Sequence, residues 1–282
     1  MFIQLLNGVV YGAILFVVSS GLVMIYGLRR VVNFAHGAFY MVGAYVGFSV
    51  IPSLGFGWAL VIVPIVLFAA GTVLDVTLFR LVQNRSPLVS LIATFGLLLI
   101  LEDGVRGVWG RRTYSINPPP WLSGAVNLSG SPFPIYRLAI VGFAACVIMV
   151  LALWLRRSRT GLFVRAASVD PTTTAVMGVD TDRLSAVVVG FGTALAGLSG
   201  VLAAPLLSLS PTMGSYVLVD SFVVTVIGGL GSFTGAFIAA MIVGEVQVGG
   251  SVLLPELAST LPFILMTVVL IWRPTGLFGS RV

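Results

Sequence analysis

From Met1 to Leu28 the chain carries no charged side chain, and from Val31 to Leu74 there is again no Asp, Glu, Lys or Arg. Apolar runs of that length exclude a water-exposed surface, because a soluble domain carries roughly 25% charged residues. Here charged residues are 9% and hydrophobic residues 58% of 282 positions, with a mean hydropathy of +1.11. The bilayer is therefore the solvent. A helix crossing hydrocarbon needs about 20 predominantly apolar residues, so 1–28 reads as one span and 31–74 as two, divided by the turn signal PSLGFG at 52–57. Further spans are expected at about 87–105, 136–155, 184–207 and 257–272. The fold class that follows is an all-α polytopic transmembrane helical bundle of about eight spans, forming one membrane domain over 1–282. MFIQLLNGVVYG lacks a basic region ahead of its apolar run, so the N-terminus reads as a retained span rather than a cleaved signal peptide.

The formal net charge of +6 does not point to nucleic acid, since the arginines stand at the ends of apolar runs instead of forming one basic face. They set orientation instead. With RRSRTGLFVR (156–165) in the cytoplasm, Arg29, Arg30, Arg80, Arg85, Arg183, Arg273 and Arg281 fall on the same side. Eleven arginines are then inside and four outside, namely Arg106, Arg111, Arg112 and Arg137. The N-terminus lies outside and the C-terminus in the cytoplasm. The proline- and serine-rich segment 106–136 becomes an extracytoplasmic loop.

That orientation requires an even number of crossings between Arg183 and Arg273. The stretch 217–246 must cross twice or not at all, and it carries GGLGS at its middle. Glycine permits a sharp turn and weakens a continuous helix. The expectation is a broken or re-entrant pair of short helices meeting at Gly228, Gly229 and Gly231, dipping in from outside and returning. Broken backbone at membrane depth is tolerated where it lines a cavity, which makes these glycines candidates for the translocation pathway or gate. Asp220, at the outer entry of the pair, is the acid to watch, although an exposed helix-start aspartate explains it equally.

Catalytic constellations are missing. There is no HExxH, GxSxG or phosphate-binding loop, one histidine, and one cysteine, Cys146, inside an uncharged run. No catalytic residue, metal site or cofactor is expected, and the chain reads as no enzyme. Asp75 is placed to pair with Arg80, and Glu102–Asp103 with Arg106. The histidine lies in NFAHG (33–37), after Arg29–Arg30, at the cytoplasmic entrance of the second span. Asn33 suits a helix N-cap. His36, one turn in, either bonds across to another helix or faces the inner mouth of a pathway.

Residues 156–183 are too polar to span and too short for a domain. Pro171 can open a short helix with Asp170 as its cap, and Gly178 is a natural stop. So short an exposed helix, flanked by flexible loops, is unstable alone and suits docking into another protein. Here a resemblance enters. RAxxxDPxxxAxxxGV resembles the coupling loop of ABC importer permeases. GLVMIYGLRRVVNFAHGAFYMVGAY, GGLGSFTGA and WRPTGLFG, in this order, resemble the permeases for branched-chain amino acids, with NFAHG marking the smaller of two paired permeases. The resemblance implies ATPase-coupling contacts at Arg165, Ala166, Asp170, Ala175 and Gly178. It implies a second permease subunit, two cytoplasmic ATPase subunits that bind the ATP, and an extracytoplasmic solute-binding protein. The function implied is import of branched-chain or related hydrophobic amino acids across the inner membrane. Urea or short amides are the alternative solutes, and an ATPase-independent carrier or channel the alternative mechanism.

Overall fold

The computed structural model describes residues 1–82, 85–128 and 130–279. Helix α1 (Phe2–Arg29) and α2 (Ala35–Leu54) precede α3 (Phe56–Leu74), which continues through a π-helical turn (Asp75–Phe79) into the last turn α4 (Arg80–Val82). Then come α5 (Pro87–Trp109), a hairpin of β1 (Ala125–Leu128) and β2 (Ser131–Pro134), and α6 (Ile135–Arg157). Short helices α7 (Arg159–Val169) and α8 (Pro171–Val176) lead into α9 (Thr181–Ala203). Helices α10 (Met213–Gly228), α11 (Phe233–Leu253) and α12 (Leu261–Trp272) complete the chain.

Seven of these helices, counting α3 through α4 as one, are long and apolar enough to cross a membrane, while α10 and α12 are shorter apolar helices. The expected number of about eight falls between seven and the total reached when both short helices are added. The protein is an all-α multi-pass membrane bundle. Its surface follows the solvent. α3, α5 and α6 turn large apolar residues such as Ile65, Ile92, Ile100 and Met149 outward, as lipid-facing helices do.

α1 and α9 form the centre, each with more than four-fifths of its apolar window buried. They cross antiparallel, so close at Gly21 and Gly192 that a β-carbon on either would overlap the other's carbonyl. Small residues bring backbones together where lipid removes the hydrophobic drive for helix pairing. Side chains then bond across to neighbouring backbones: Ser199 Oγ donates to Ile14 O at 3.1 Å, Thr193 Oγ1 to Leu67 O at 2.8 Å, and Tyr136 OH to Leu202 O at 2.7 Å.

The arginines segregate by end. Arg29 ends α1, Arg156 and Arg157 end α6, Arg183 opens α9, and Arg30 donates to Val169 O of α7, all at one end. Arg106 sits in the last turn of α5 and Arg137 bonds Asn7 at the opposite end. Arg281, counted with the first group, lies outside the described residues. The opposite end is closed by the β1–β2 hairpin and by a bridge in which Tyr114 and Leu209 exchange backbone hydrogen bonds of 3.0 and 2.8 Å.

Candidate functional site

The segment that joins α1 to α2 is where the sequence reading needs its main correction. NFAHG opens the second span, α2, but deep in the bundle rather than at its arginine-rich end. Arg30 adopts a left-handed conformation, φ 51°, and turns the chain back. Residues 31–34 then run into the bundle without helical structure, and α2 starts deep. His36 Nε2 lies 2.8 Å from the carbonyl of Val18, eleven residues before the end of α1, or ~16 Å along its axis at 1.5 Å per residue. A carbonyl only accepts, so Nε2 carries the proton and Nδ1 is left buried without a hydrogen-bond partner. Sequence counting placed His36 too shallow because it treated the connection as a turn at the surface.

Asn33 stands one residue before the N-cap position, which Phe34 occupies. Its Oδ1 accepts from Ala35 N at 3.0 Å and its carbonyl from His36 N at 3.2 Å, which supplies acceptors to a helix start that water does not reach. The adjoining cavity, of about 10 Å³, is lined by Ile25, Arg29, Asn33, Phe79, Val82 and Ser90. It is far too small for an amino acid, so this end of the α1–α2 break is closed.

Next to it lies a charge network. Asp75, with no exposed surface, accepts from Arg29 Nη2 at 2.7 Å and from Ser185 Oγ at 2.9 Å, joining α1, the π turn and α9. Arg80, the expected partner, stands 4.0 Å away. The nearer cation was missed because Arg29 is 46 residues distant in sequence, and only the tertiary fold brings it in. Glu102 does pair with Arg106, at 3.4 Å, as spacing indicated, and also accepts from Ser215 at 2.5 Å.

The glycine break is real and lies at Gly229–Ser232, between α10 and α11. Gly229 and Gly231 take φ of 97° and 85°, which only glycine adopts without strain. Its depth differs from expectation. Gly231 packs beside Gly27 near the end of α1, and α11 is 21 residues long. The pair therefore forms a hairpin whose tip lies at the arginine-rich end. The tail closes that hairpin, with Leu277 N donating to Ile227 O at 2.8 Å and Phe278 N to Gly228 O at 3.1 Å. The orphan carbonyls of α10 are satisfied by the WRPTGLFG ending.

Asp220 lies two turns from that break, on the half of α10 nearer the opposite end. Its Oδ2 accepts from Tyr11 OH at 2.7 Å. Neither Tyr11 nor Tyr40, whose buried hydroxyl lacks a hydrogen-bond partner, was singled out from sequence. The pathway candidates thus fall into three places: Asn33 and His36 deep in the α1–α2 break, Asp220 beside Tyr11, and the glycines at the arginine-rich end.

The coupling candidates do converge. Asp170 Oδ1 accepts from Thr172 N at 3.0 Å and Thr173 N at 3.1 Å, and Oδ2 from Thr173 Oγ1 at 2.5 Å. Pro171 is the first residue of α8, and Gly178 takes φ 86° just beyond it. Hydrogen bonds from the Thr173 side chain and backbone, then Thr172, hold the Asp170 carboxyl below its ordinary 3.8. The flank before α8, expected to be a flexible loop, is helical instead. Arg165 and Ala166 belong to the 11-residue helix α7, which Ser158 caps through Gly161 N at 2.8 Å. Gly161, Val164 and Ala167 are its buried face. Arg165, Ala166, Asp170, Ala175 and Gly178 are all exposed at the arginine-rich end, beside Val169, Val176 and Met177, each more than three-quarters exposed.

A family model described as "Branched-chain amino acid transport system / permease component" matches residues 4–270. The high-affinity branched-chain amino acid transport system permease protein LivH of Escherichia coli (strain K12) is 31% identical over 293 residues, covering 98% of this chain and 94% of LivH. BraD of Pseudomonas aeruginosa, with the same description, is 27% identical over 292 residues, 98% of this chain and 95% of BraD. No solved structure matches the chain.

Proposed function

The chain belongs to the permease-component family of branched-chain amino acid transport systems, and from that premise we propose how it works. It is the membrane-spanning permease subunit of an ABC importer that carries branched-chain amino acids, with the N-terminus outside and the arginine-rich end in the cytoplasm. A second permease, two ATPase subunits and an extracytoplasmic binding protein complete the complex. ATP is bound by the ATPases, and this chain holds no cofactor.

The α7–α8 platform is the observation that carries the reading. Helix α8, Pro171–Val176, is capped at its start, stopped at Gly178, and presents Val176 and Met177 fully to the outside. Six residues do not hold a helix in water without a partner, and exposed apolar side chains clear of the lipid-facing helices mark a protein contact. Docked in an ATPase groove, α8 would move with the ATPase. α7, held to α8 at Asp170, would pass that motion to α1, α6 and α9, against which it packs. Arg30 Nη2 to Val169 O, 3.3 Å, ties the same platform to the α1–α2 break. ATP-driven motion at the surface therefore has a physical route to the helices that close the bundle.

Deleting residues 166–178 tests this. In proteoliposomes containing the full complex, leucine uptake is expected to require ATP and to vanish with the deletion. Uptake that survives the deletion sinks the ATPase-coupled reading.

A further inference from the structure

Five acids interrupt the apolar helices beyond the capping turn of α9: Asp75, Glu102, Asp103, Asp220 and Glu245. Asp75 is met by Arg29, and Glu102 and Asp103 by Arg106. Glu245 meets no cation among the described residues and lies against Gly8, leaving no room there for a β-carbon. Asp220 likewise meets no cation, but a second side chain holds it. Its Oδ2 is fixed by Tyr11 OH, no cation of the described residues stands against it, and no hydrogen bond from them occupies Oδ1.

Two further observations bear on what Asp220 faces. The hydroxyl of Tyr40, on a fully buried side chain of α2, makes no hydrogen bond, and α2 packs against α10 where Gly37 and Met41 meet Gly214 and Leu218. A buried hydroxyl without a partner is costly, and this one is free to bond a group that arrives from outside the chain. Asp220 itself is only partly buried, and its α10 neighbours Tyr216 and Val219 are 72% and 41% exposed. A carboxylate at membrane depth does not face lipid; it faces a water-filled path or another polar group.

We propose that Asp220, Tyr11 and Tyr40 form a recognition site for the ammonium group of a zwitterionic amino acid on its way through the permease. The inference rests on the import reading above and names the charge the pathway selects. An ammonium carries three donors. Asp220 Oδ1 takes one and supplies the opposite charge, and the oxygen of Tyr40 takes a second. Tyr11 holds the carboxylate in the rotamer that presents Oδ1. The exposed apolar side chain of Val219 lies beside the site for the solute's hydrocarbon part. No such carboxylate is needed for a neutral solute such as an amide.

The test uses the whole complex with its binding protein in proteoliposomes, reading labelled leucine moved per ATP hydrolysed. Asp220→Asn is expected to lower that ratio about tenfold or more, the effect of losing one charge-assisted contact, and Asp220→Glu to recover part of it. Tyr40→Phe separates recognition from folding. Its hydroxyl supports nothing in the chain, so the thermal midpoint does not fall, while leucine per ATP drops several-fold. Wild-type ratios in both Asp220→Asn and Tyr40→Phe overturn the proposal. So does a complex that falls apart with Asp220→Asn while Tyr40→Phe transports normally, which assigns Asp220 to an ion pair with the second permease. A wild-type complex that moves no leucine, or moves it without ATP, refutes the underlying import reading instead.

Discussion

Asp75 is the residue on which the arginine-rich end depends. Its carboxylate is completely buried, its Arg29 partner is 11% exposed, Ser185 donates to the same oxygen as Arg29, and Arg80 stands 4.0 Å from the other. Desolvating two ions offsets most of their attraction, but removing one partner leaves the other stranded. Asp75→Ala or Arg29→Ala is therefore expected to destabilise the protein by about 3–5 kcal/mol, while the double change Arg29→Met/Asp75→Leu recovers most of the loss. Thermal unfolding of the four proteins in detergent checks this; near-wild-type single variants would show that the pair carries little. Asp75 illustrates what single residues reveal in sequence. An acid in an apolar run announced itself, because desolvation cost belongs to the residue. Which cation answered Asp75 belongs to the fold. The depth of His36 was hidden for the same reason: five residues after Leu28 can lie at the surface or climb back into the bundle, and hydropathy is alike in both cases.

At the scale of elements, α8 was legible almost to the residue. Asp170, Pro171 and Gly178 are local signals, and each acts within one helix turn. α7 was not, because RTGLFVRAASV has weak helical patterning of its own. It is held by Gly161, Val164 and Ala167 packing against the ends of the long helices. The Asp170 cap also fixes a pH dependence. Its carboxyl is held below the ordinary 3.8 by Thr173 and Thr172, so the folded form prefers the ionised state. The cap's contribution is complete above the ordinary value and is lost only as pH falls through the lowered one. ATPase stimulation by loaded binding protein should accordingly show no transition from this group between about pH 5 and 8, well above the carboxylate range. Asp170→Ala should lower stimulation across that whole window, while Asp170→Ser, which keeps an N-cap acceptor, should retain most of it. Equal losses in the two variants would mean that the charge, not the cap, is what the ATPase reads.

For the whole molecule, composition and the lengths of uncharged runs specified a helical membrane bundle, since only helices or closed barrels satisfy backbone groups in lipid. What they left open was the path of the chain between the ends. Two helices are short, α10 with 16 residues and α12, inside the span expected at 257–272, with 12. Only their packing reveals that α10 runs from the level of Gly37 to that of Gly27. The segregation of arginines nonetheless carries through to three dimensions, with Arg29, Arg30, Arg156, Arg157 and Arg183 at one end and Arg106 and Arg137 at the other. Cytoplasmic loops hold the excess of arginine, which under the proposed orientation places α8 inside and the β1–β2 hairpin outside. The only native cysteine, Cys146, is exposed on α6, so labelling needs a Cys146→Ser background. There, a membrane-impermeant maleimide applied to intact cells should label Val126→Cys, on the hairpin, and spare Met177→Cys, beside α8, until the membrane is opened. The reverse pattern would invert the molecule and place α8 where no cytoplasmic ATPase can reach it, removing orientation and coupling together.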